Sequence, residues 1–176
     1  MQSIKNLIAL FVIVTFFAGC STISVNQDYD PAYDFSKLKT YGFIPITSEA
    51  GIDQLNADRI GEAIKTNLNT KGFTLAEKAD FGVAIFFTKS TKTDVTSHGY
   101  GYGYRGYGGM GGVDIHQYNE GTLVIDFIDV AENKLIWRGI GSGILSTNPS
   151  VEERTANVIN AVMHILDQFP PSKEQY

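Results

Sequence analysis

The chain has 176 residues and a formal net charge of −5, from 14 basic and 19 acidic side chains. A mildly acidic chain lacks the positive field that attracts nucleic acid, so we expect no nucleic-acid partner. Its single cysteine excludes an intrachain disulfide, and its length fits one domain that folds around its own core.

The first predicted element is a signal peptide over residues 1–19. Residues 7–17 are apolar apart from Thr15, follow Lys5, and precede the small pair Ala18 and Gly19. This order of charge, apolar run and small residues is typical of a secretory signal peptide. The run is also too short to span a bilayer, which needs ~20 apolar residues. Removal of residues 1–19 leaves 157 residues with 13 basic and 19 acidic side chains, a net charge of −6.

The only cysteine, Cys20, follows the small pair directly. This arrangement resembles the lipobox of bacterial lipoproteins, whose cysteine is acylated and becomes the mature N-terminus, although Phe17 stands where that motif usually has leucine. We therefore predict lipidation at Cys20 and attachment to a membrane through it. The next residue, Ser21, differs from the aspartate of an inner-membrane retention signal, which favours the outer membrane with the domain facing the periplasm.

Residues 20–27 are predicted to form the acylated N-terminus and a polar tether, and residues 28–172 a single domain. Asp30 and Pro31 predict a turn at the start of this domain. Residues 40–46 are aromatic and β-branched, and Pro45 indicates a strand end or a sheet edge. With β character also beginning at Val25, we expect two early strands.

A helix is predicted from about Asp53 to Lys71. Asp53 fits an N-cap and Gly72 a left-handed terminator, and the apolar positions repeat at helical spacing: Ile60, Ala63, Ile64 and Leu68. The aromatic and β-branched residues 79–88 then predict a strand that extends to about Val95.

A Gly/Tyr-rich loop is predicted at residues 97–113. Residues 98–112 contain eight glycines and four tyrosines, and such a stretch cannot form a regular packed element because ordering glycine is entropically costly. It is interpreted as a mobile loop or a long hairpin tip. Five of its side chains could contact a sugar ring or a protein surface: Tyr100, Tyr102, Tyr104, Arg105 and Tyr107. The alternative is a tolerated low-complexity insertion.

Two further strands and a final helix complete the chain. In residues 122–130, Leu123, Ile125 and Phe127 face one way, and residues 131–133 form a turn to a strand over residues 134–145. The last helix begins with a capping box, Ser150 and Glu153, and ends before Pro170 and Pro171. Its predicted core stripe is Ile159, Val162, Met163, Leu166 and Phe169, flanked by Val158 and Ile165. The order ββαβββα predicts an α+β fold, a mostly antiparallel sheet of about five strands with two helices packed on one face.

Residues with catalytic chemistry are sparse. His98, His116 and His164 lack the spacing of a zinc motif, so no metal site and no cofactor are predicted. Asp126 and Asp129 lie three residues apart on a strand and should point to opposite faces. No catalytic residue is therefore predicted, although Asp126 or the histidines that flank the loop leave a small hydrolase open as the alternative.

A series of short motifs resembles a known family. In chain order these are residues 28–31, 34–41, 71–73, 79–81, 121–126, 134–139 and 169–171. They are similar to the bacterial lipoproteins grouped as domain of unknown function 4136. The resemblance implies an exported, lipid-anchored α+β domain and supplies no catalytic residues. Within it, Trp137 is interpreted as a large anchor on the sheet, and Gly139 and Gly141 as positions that relieve crowding under a helix.

Two functional hypotheses follow from the sequence. The first is a non-catalytic accessory protein, anchored in the envelope, that contacts a protein partner or an envelope glycan. The second is a small periplasmic hydrolase or glycan-processing enzyme that uses Asp126 or the histidines at the base of the loop, His98 and His116.

Overall fold

The structure is a computed structural model that describes residues 23–46, 51–97 and 113–171. Within these ranges the chain forms six strands and two α-helices. The strands are β1 (Ser24–Tyr29), β2 (Thr40–Phe43), β3 (Thr74–Leu75), β4 (Phe81–Ser97), β5 (Val113–Asp129) and β6 (Lys134–Ile144). The helices are α1 (Gln54–Thr70) and α2 (Val151–Leu166). The predicted signal peptide and Cys20 lie outside the described residues.

All six strands form one sheet in the order β1-β6-β5-β4-β2-β3. Strands β1, β6, β5 and β4 are joined by antiparallel pairing, whereas β2 runs parallel to both β3 and β4. Parallel pairing at β2 follows from its connection, because the chain passes through α1 before it returns to the sheet. The predicted α+β class with a mostly antiparallel sheet is confirmed. The extra strand is β3, which is too short to show in the sequence pattern.

Strand β1 begins inside the segment predicted as a tether. Ser24 pairs with Ser142 and Tyr29 with Trp137, so residues 24–27 belong to the sheet. Exposure alternates along this strand, with Val25 and Tyr29 half-buried against the core. The strand begins one residue before Val25, where the sequence predicts β character. Its overlap with the predicted tether does not show in the sequence because its outward residues are polar and its inward residues include Gln27.

Both predicted helix starts are confirmed. Asp53 accepts a hydrogen bond from the Asn56 backbone N–H at 3.0 Å, which satisfies one of the free donors of the first turn of α1. Ser150 and Glu153 form the reciprocal capping box of α2, with distances of 3.1 and 2.8 Å. Gly72 has a φ of 89° just after α1, which is the left-handed conformation that glycine adopts readily.

One hydrophobic core lies between the two helices and one face of the sheet. Its centre is aromatic: the ring of Phe169 lies 4.6 Å from that of Phe127, which lies 4.8 Å from that of Trp137. All three side chains are almost fully buried. Aromatic contacts of this kind stabilise beyond the area that they bury, so the Phe169 motif after α2 has a packing role.

The predicted core stripe of α2 is wrong at two positions. Ile159 is 49% exposed and Met163 is 40% exposed, whereas Val162, Ile165 and Leu166 are buried. The helix is turned toward Ile165 because that side chain packs over two glycines of β6. A Cβ at Gly139 would overlap with Ile165 and Trp137, and a Cβ at Gly141 would lie 2.8 Å from Ile165 Cδ1. The predicted roles of Gly139, Gly141 and Trp137 are confirmed.

Neither helix of the described part of the chain is long and apolar enough to cross a membrane.

Candidate binding surface

The sheet has a second face that no described helix covers, here called the open face. Side chains alternate along each strand, so residues between the core positions of β4, β5 and β6 lie on this face. Phe86 pairs with Val124, and Val124 pairs with Ile140, which places three apolar side chains in one row across the sheet. Phe86 is 43% exposed, and Val124 and Ile140 are half-buried. This row is called the apolar row.

An ion pair lies beside the apolar row. Arg138 donates to both oxygens of the Asp126 carboxylate, from Nε at 2.7 Å and from Nη2 at 2.6 Å. The two residues face each other on β5 and β6. Asp126 is 4% exposed, whereas the Arg138 side chain is 43% exposed. The hydrogen bonds to Asp126 raise the pKa of Arg138 above its usual value. The open face therefore presents an exposed guanidinium next to apolar side chains.

Strands β4 and β5 continue well beyond the rest of the sheet. β6 ends where Ile144 pairs with Glu120, but β4 and β5 stay paired as far as Ser97 and Val113. This two-stranded extension, residues 91–97 and 113–119, is called the arm. Val95 and Ile115 pair within it and are 58% and 62% exposed. The predicted strand start at residue 122 is wrong, because β5 begins nine residues earlier.

The Gly/Tyr-rich segment joins the two strands of the arm. Ser97 and Val113 are paired, so residues 98–112 connect the two strands in sequence; the predicted loop itself lies outside the described residues. The residues predicted to contact a partner all lie outside the described part of the chain: Tyr100, Tyr102, Tyr104, Arg105 and Tyr107. Their role stays a prediction.

A shallow cleft of about 270 Å³ lies at the opposite end of the sheet, lined by Tyr33, Asp80 and Asp129 among others. Tyr33 Oη donates to Asp129 Oδ2 at 2.5 Å, and the Glu132 backbone N–H donates to Asp129 Oδ1 at 2.7 Å. These hydrogen bonds lower the pKa of Asp129. Burial and the carboxylate raise the pKa of Tyr33. Each group already has a partner, so the pair fixes the turn after β5.

Asp80 has a similar structural role. Its Oδ2 accepts hydrogen bonds from the backbone N–H groups of Lys39 and Thr40, both at 2.8 Å, and these bonds lower its pKa. The carboxylate thus ties the start of β2 to the segment before β4. This contact explains the Ala79-Asp80-Phe81 motif as a requirement of the fold.

The residues considered for catalysis are spread over the molecule. Asp126 contacts Arg138 on the open face, whereas Asp129 contacts Tyr33 in the cleft. His116 is exposed on the arm opposite Asp94, and His98 lies outside the described residues. Across residues 23–46, 51–97 and 113–171, no three His, Cys, Asp or Glu side chains lie close enough together to hold a metal.

The ion pair and the apolar row were not predicted from the sequence. Counting back from the predicted turn at residues 131–133, which pairs Val130 with Lys134, brings Asp126 opposite Arg138. In the structure Asp129 pairs with Lys134, and the bulge between Phe127 and Ile128 leads to the same pairing of Asp126 with Arg138. The sheet face on which Phe86 lies could not be assigned in this way, because Phe86 belongs to a continuous apolar run in which periodicity does not separate the two faces.

The fold and the open face define a two-layer α+β domain with one uncovered sheet surface. The chain belongs to the family described as Domain of unknown function (DUF4136), whose sequence profile matches residues 25–171. No curated protein matches the chain in sequence.

Two solved structures resemble the chain at low sequence identity. A PDZ domain protein from Parabacteroides distasonis has a TM-score of 0.57 and 16% identity over 86% of this chain. The match spans 36% of that protein, so this chain corresponds to about a third of its length. A PelC dodecamer from Paraburkholderia phytofirmans has a TM-score of 0.44 and 14% identity, over 82% of this chain and 94% of that one. At these identities the likeness to the first structure concerns the fold alone.

Proposed function

We propose that this protein is a lipid-anchored accessory protein of the bacterial envelope that binds a partner protein or an envelope glycan and performs no catalysis. Cys20 is the attachment point, in the outer membrane, and the domain faces the periplasm. Support for the anchor comes from the position of Cys20 directly after a short apolar run that ends in Ala18 and Gly19.

The apolar row carries the binding part of the proposal. A sheet face that packs against nothing normally has polar outward residues, but here Phe86, Val124 and Ile140 lie side by side, with Phe86 43% exposed. Exposed apolar groups that cluster mark interaction surfaces. Aromatic residues and arginine are also enriched at protein interfaces, and the Arg138 guanidinium lies on the same face.

The fixed geometry of Arg138 adds specificity to this surface. Asp126 occupies Nε and one terminal nitrogen, so the side chain is held in one orientation. The remaining N–H donors can bind a carbonyl, a carboxylate or a hydroxyl group of a partner. The tyrosines at residues 100–107 are a second proposed contact region.

Photocrosslinking in cells tests this function. The photoreactive residue p-benzoylphenylalanine would replace Phe86, an aromatic side chain of similar character. A matched probe would replace Ile159, which has similar exposure but lies on the outer side of α2. We expect the probe at position 86 to give a discrete adduct with one envelope component and the probe at position 159 to give none. Identical adducts from both positions, or no adduct from position 86, would contradict the proposal.

A further inference from the structure

The arm and the start of β1 lie at the same end of the sheet. Ser24 pairs with Ser142, Ser142 with Thr122, and Thr122 with Thr88, so these four residues form one row. From this row β1 runs into the sheet, while β4 continues in the opposite direction for nine more residues to Ser97. At about 3.3 Å per residue, the hairpin projects roughly 30 Å beyond the row.

The proposed anchor lies close to this row. Cys20 precedes Ser24 by four residues, which span at most about 14 Å when fully extended. The hairpin is therefore about twice as long as the greatest separation between the anchor and the sheet. This comparison rests on the lipidation of Cys20, which belongs to the proposed function.

An orientation in which the arm points away from the membrane does not fit the short connection between Cys20 and Ser24. If the arm pointed away from the membrane, all of β1 would have to lie between Ser24 and the bilayer. Its six residues extend for roughly 20 Å, which exceeds the distance that the connection allows. An upright domain therefore has the end that carries the arm toward the membrane, and the arm, which is longer than the connection to Cys20, tilts against the bilayer surface.

The two sides of the arm differ in polarity. Val95 and Ile115 face each other on the side that continues the core face, and both are exposed. The other side carries charged or titratable groups: Lys92, Asp94, Asp114 and His116. Among the described residues, neither Val95 nor Ile115 belongs to the hydrophobic core. The remaining positions on the side of Val95 and Ile115 are uncharged: Thr91, Thr93, Gln117 and Asn119. An element with one uncharged side that carries an exposed apolar pair and one charged side suits the boundary between headgroups and acyl chains.

We propose that the arm lies on the membrane surface beside the lipid anchor, with Val95 and Ile115 inserted at the interface. The acidic groups of the arm supply no attraction to anionic headgroups, so the acyl chains hold the protein and the arm sets its orientation. The open face is then held at a fixed angle to the membrane, available to a partner in the periplasm.

A fluorescent probe on the arm tests this orientation. Acylation consumes the thiol of Cys20, so V95C introduces the only free thiol for a polarity-sensitive dye. The acylated protein would be placed in vesicles of phosphatidylethanolamine and phosphatidylglycerol. E132C, at an exposed position in the turn at the other end of the sheet, is the matched control. I115C reports on the same pair from the opposite strand if V95C folds poorly.

We expect a blue shift of emission and a loss of quenching by aqueous iodide for V95C in vesicles, and neither change for E132C. Equal quenching of both sites in the acylated, vesicle-bound protein would overturn the inference and leave the proposed function standing. A blue shift without vesicles that grows with protein concentration would also overturn it, in favour of self-association. An intact mass without acyl groups on Cys20 would overturn the anchor itself.

Discussion

Arg138 holds the Asp126 carboxylate through two hydrogen bonds, of 2.7 and 2.6 Å, at the centre of the open face. The carboxylate is buried while the guanidinium remains partly exposed. Both oxygens of Asp126 are occupied, and its neighbour Asp129 contacts a different residue, Tyr33. This geometry gives Asp126 a positioning role for Arg138.

Replacing Asp126 tests that role. We expect D126N to fold but to lower the free energy of unfolding by about 1–2 kcal/mol, because the partly exposed Arg138 loses a charged partner that solvent only partly replaces. Urea denaturation followed by circular dichroism gives the value. D114N, which changes an exposed carboxylate on the arm, should leave stability unchanged. A measured hydrolytic activity that disappears in D126N while the fold and stability persist would support the enzyme hypothesis instead.

A second prediction concerns the close approach of α2 to β6. We expect G139A to lower the free energy of unfolding by about 2 kcal/mol or more, because a methyl group there overlaps with Ile165 and Trp137. G61A is the matched control within α1, where nothing lies within 4 Å of the added methyl group, and it should raise stability by roughly 0.5–1 kcal/mol. Equal effects of the two substitutions would contradict the packing described for Gly139.

The Tyr33 and Asp129 pair predicts a pH dependence. The hydrogen bond from Tyr33 and the Glu132 N–H lower the pKa of Asp129 below its unfolded value, near 3.9. The pair therefore stabilises the fold above that pH, and the stabilisation is lost as the pH falls through the folded pKa. The raised pKa of Tyr33 affects stability at alkaline pH. Its contribution to the free energy of unfolding is present below about pH 10 and is lost as the pH rises further.

Y33F should accordingly be less stable than the wild type at neutral pH and should lose less stability on acidification. Thermal melting temperatures between pH 7 and strongly acidic conditions measure this difference. Y118F, a matched substitution on the arm, should keep the wild-type pH profile. A profile for Y33F that parallels the wild type would show that the hydrogen bond does not set the acid sensitivity.

The only tryptophan reports on β1. Trp137 is fully buried, and its Nε1 donates to Gln27 Oε1 at 3.0 Å. A chain that starts at residue 30 lacks β1 and should show red-shifted tryptophan emission and lower stability, because Trp137 loses its pairing strand. A chain that starts at residue 23 should retain the emission of the full domain. Identical emission from both chains would contradict the pairing of β1 with β6 and would favour the predicted tether over residues 20–27.

Features set by local chemistry were predictable from the sequence. Asp53 and Ser150 cap their helices through neighbouring backbone groups, and such caps depend on residues only three positions away. The alternation of Leu123, Ile125 and Phe127 also gave the correct buried face. These predictions needed no knowledge of the tertiary partner.

Features that depend on distant partners were not predictable. Residues 24–27, assigned to the tether in the sequence, belong to β1 because β6 offers this polar segment an edge. The outer half of β5 is paired with β4 rather than buried, so it lacks the apolar alternation by which strands are detected. The rotation of α2 toward Ile165 depends on two glycines in another element.

The intact mass of the protein extracted from bacterial membranes tests the lipid anchor most directly, and the anchor underlies both the proposed function and the orientation of the arm. We expect a chain that begins at Cys20 and carries acyl groups, and we expect C20A to be released from the membrane fraction. A chain that retains residues 1–19, or a mature chain without acyl groups at Cys20, would contradict it.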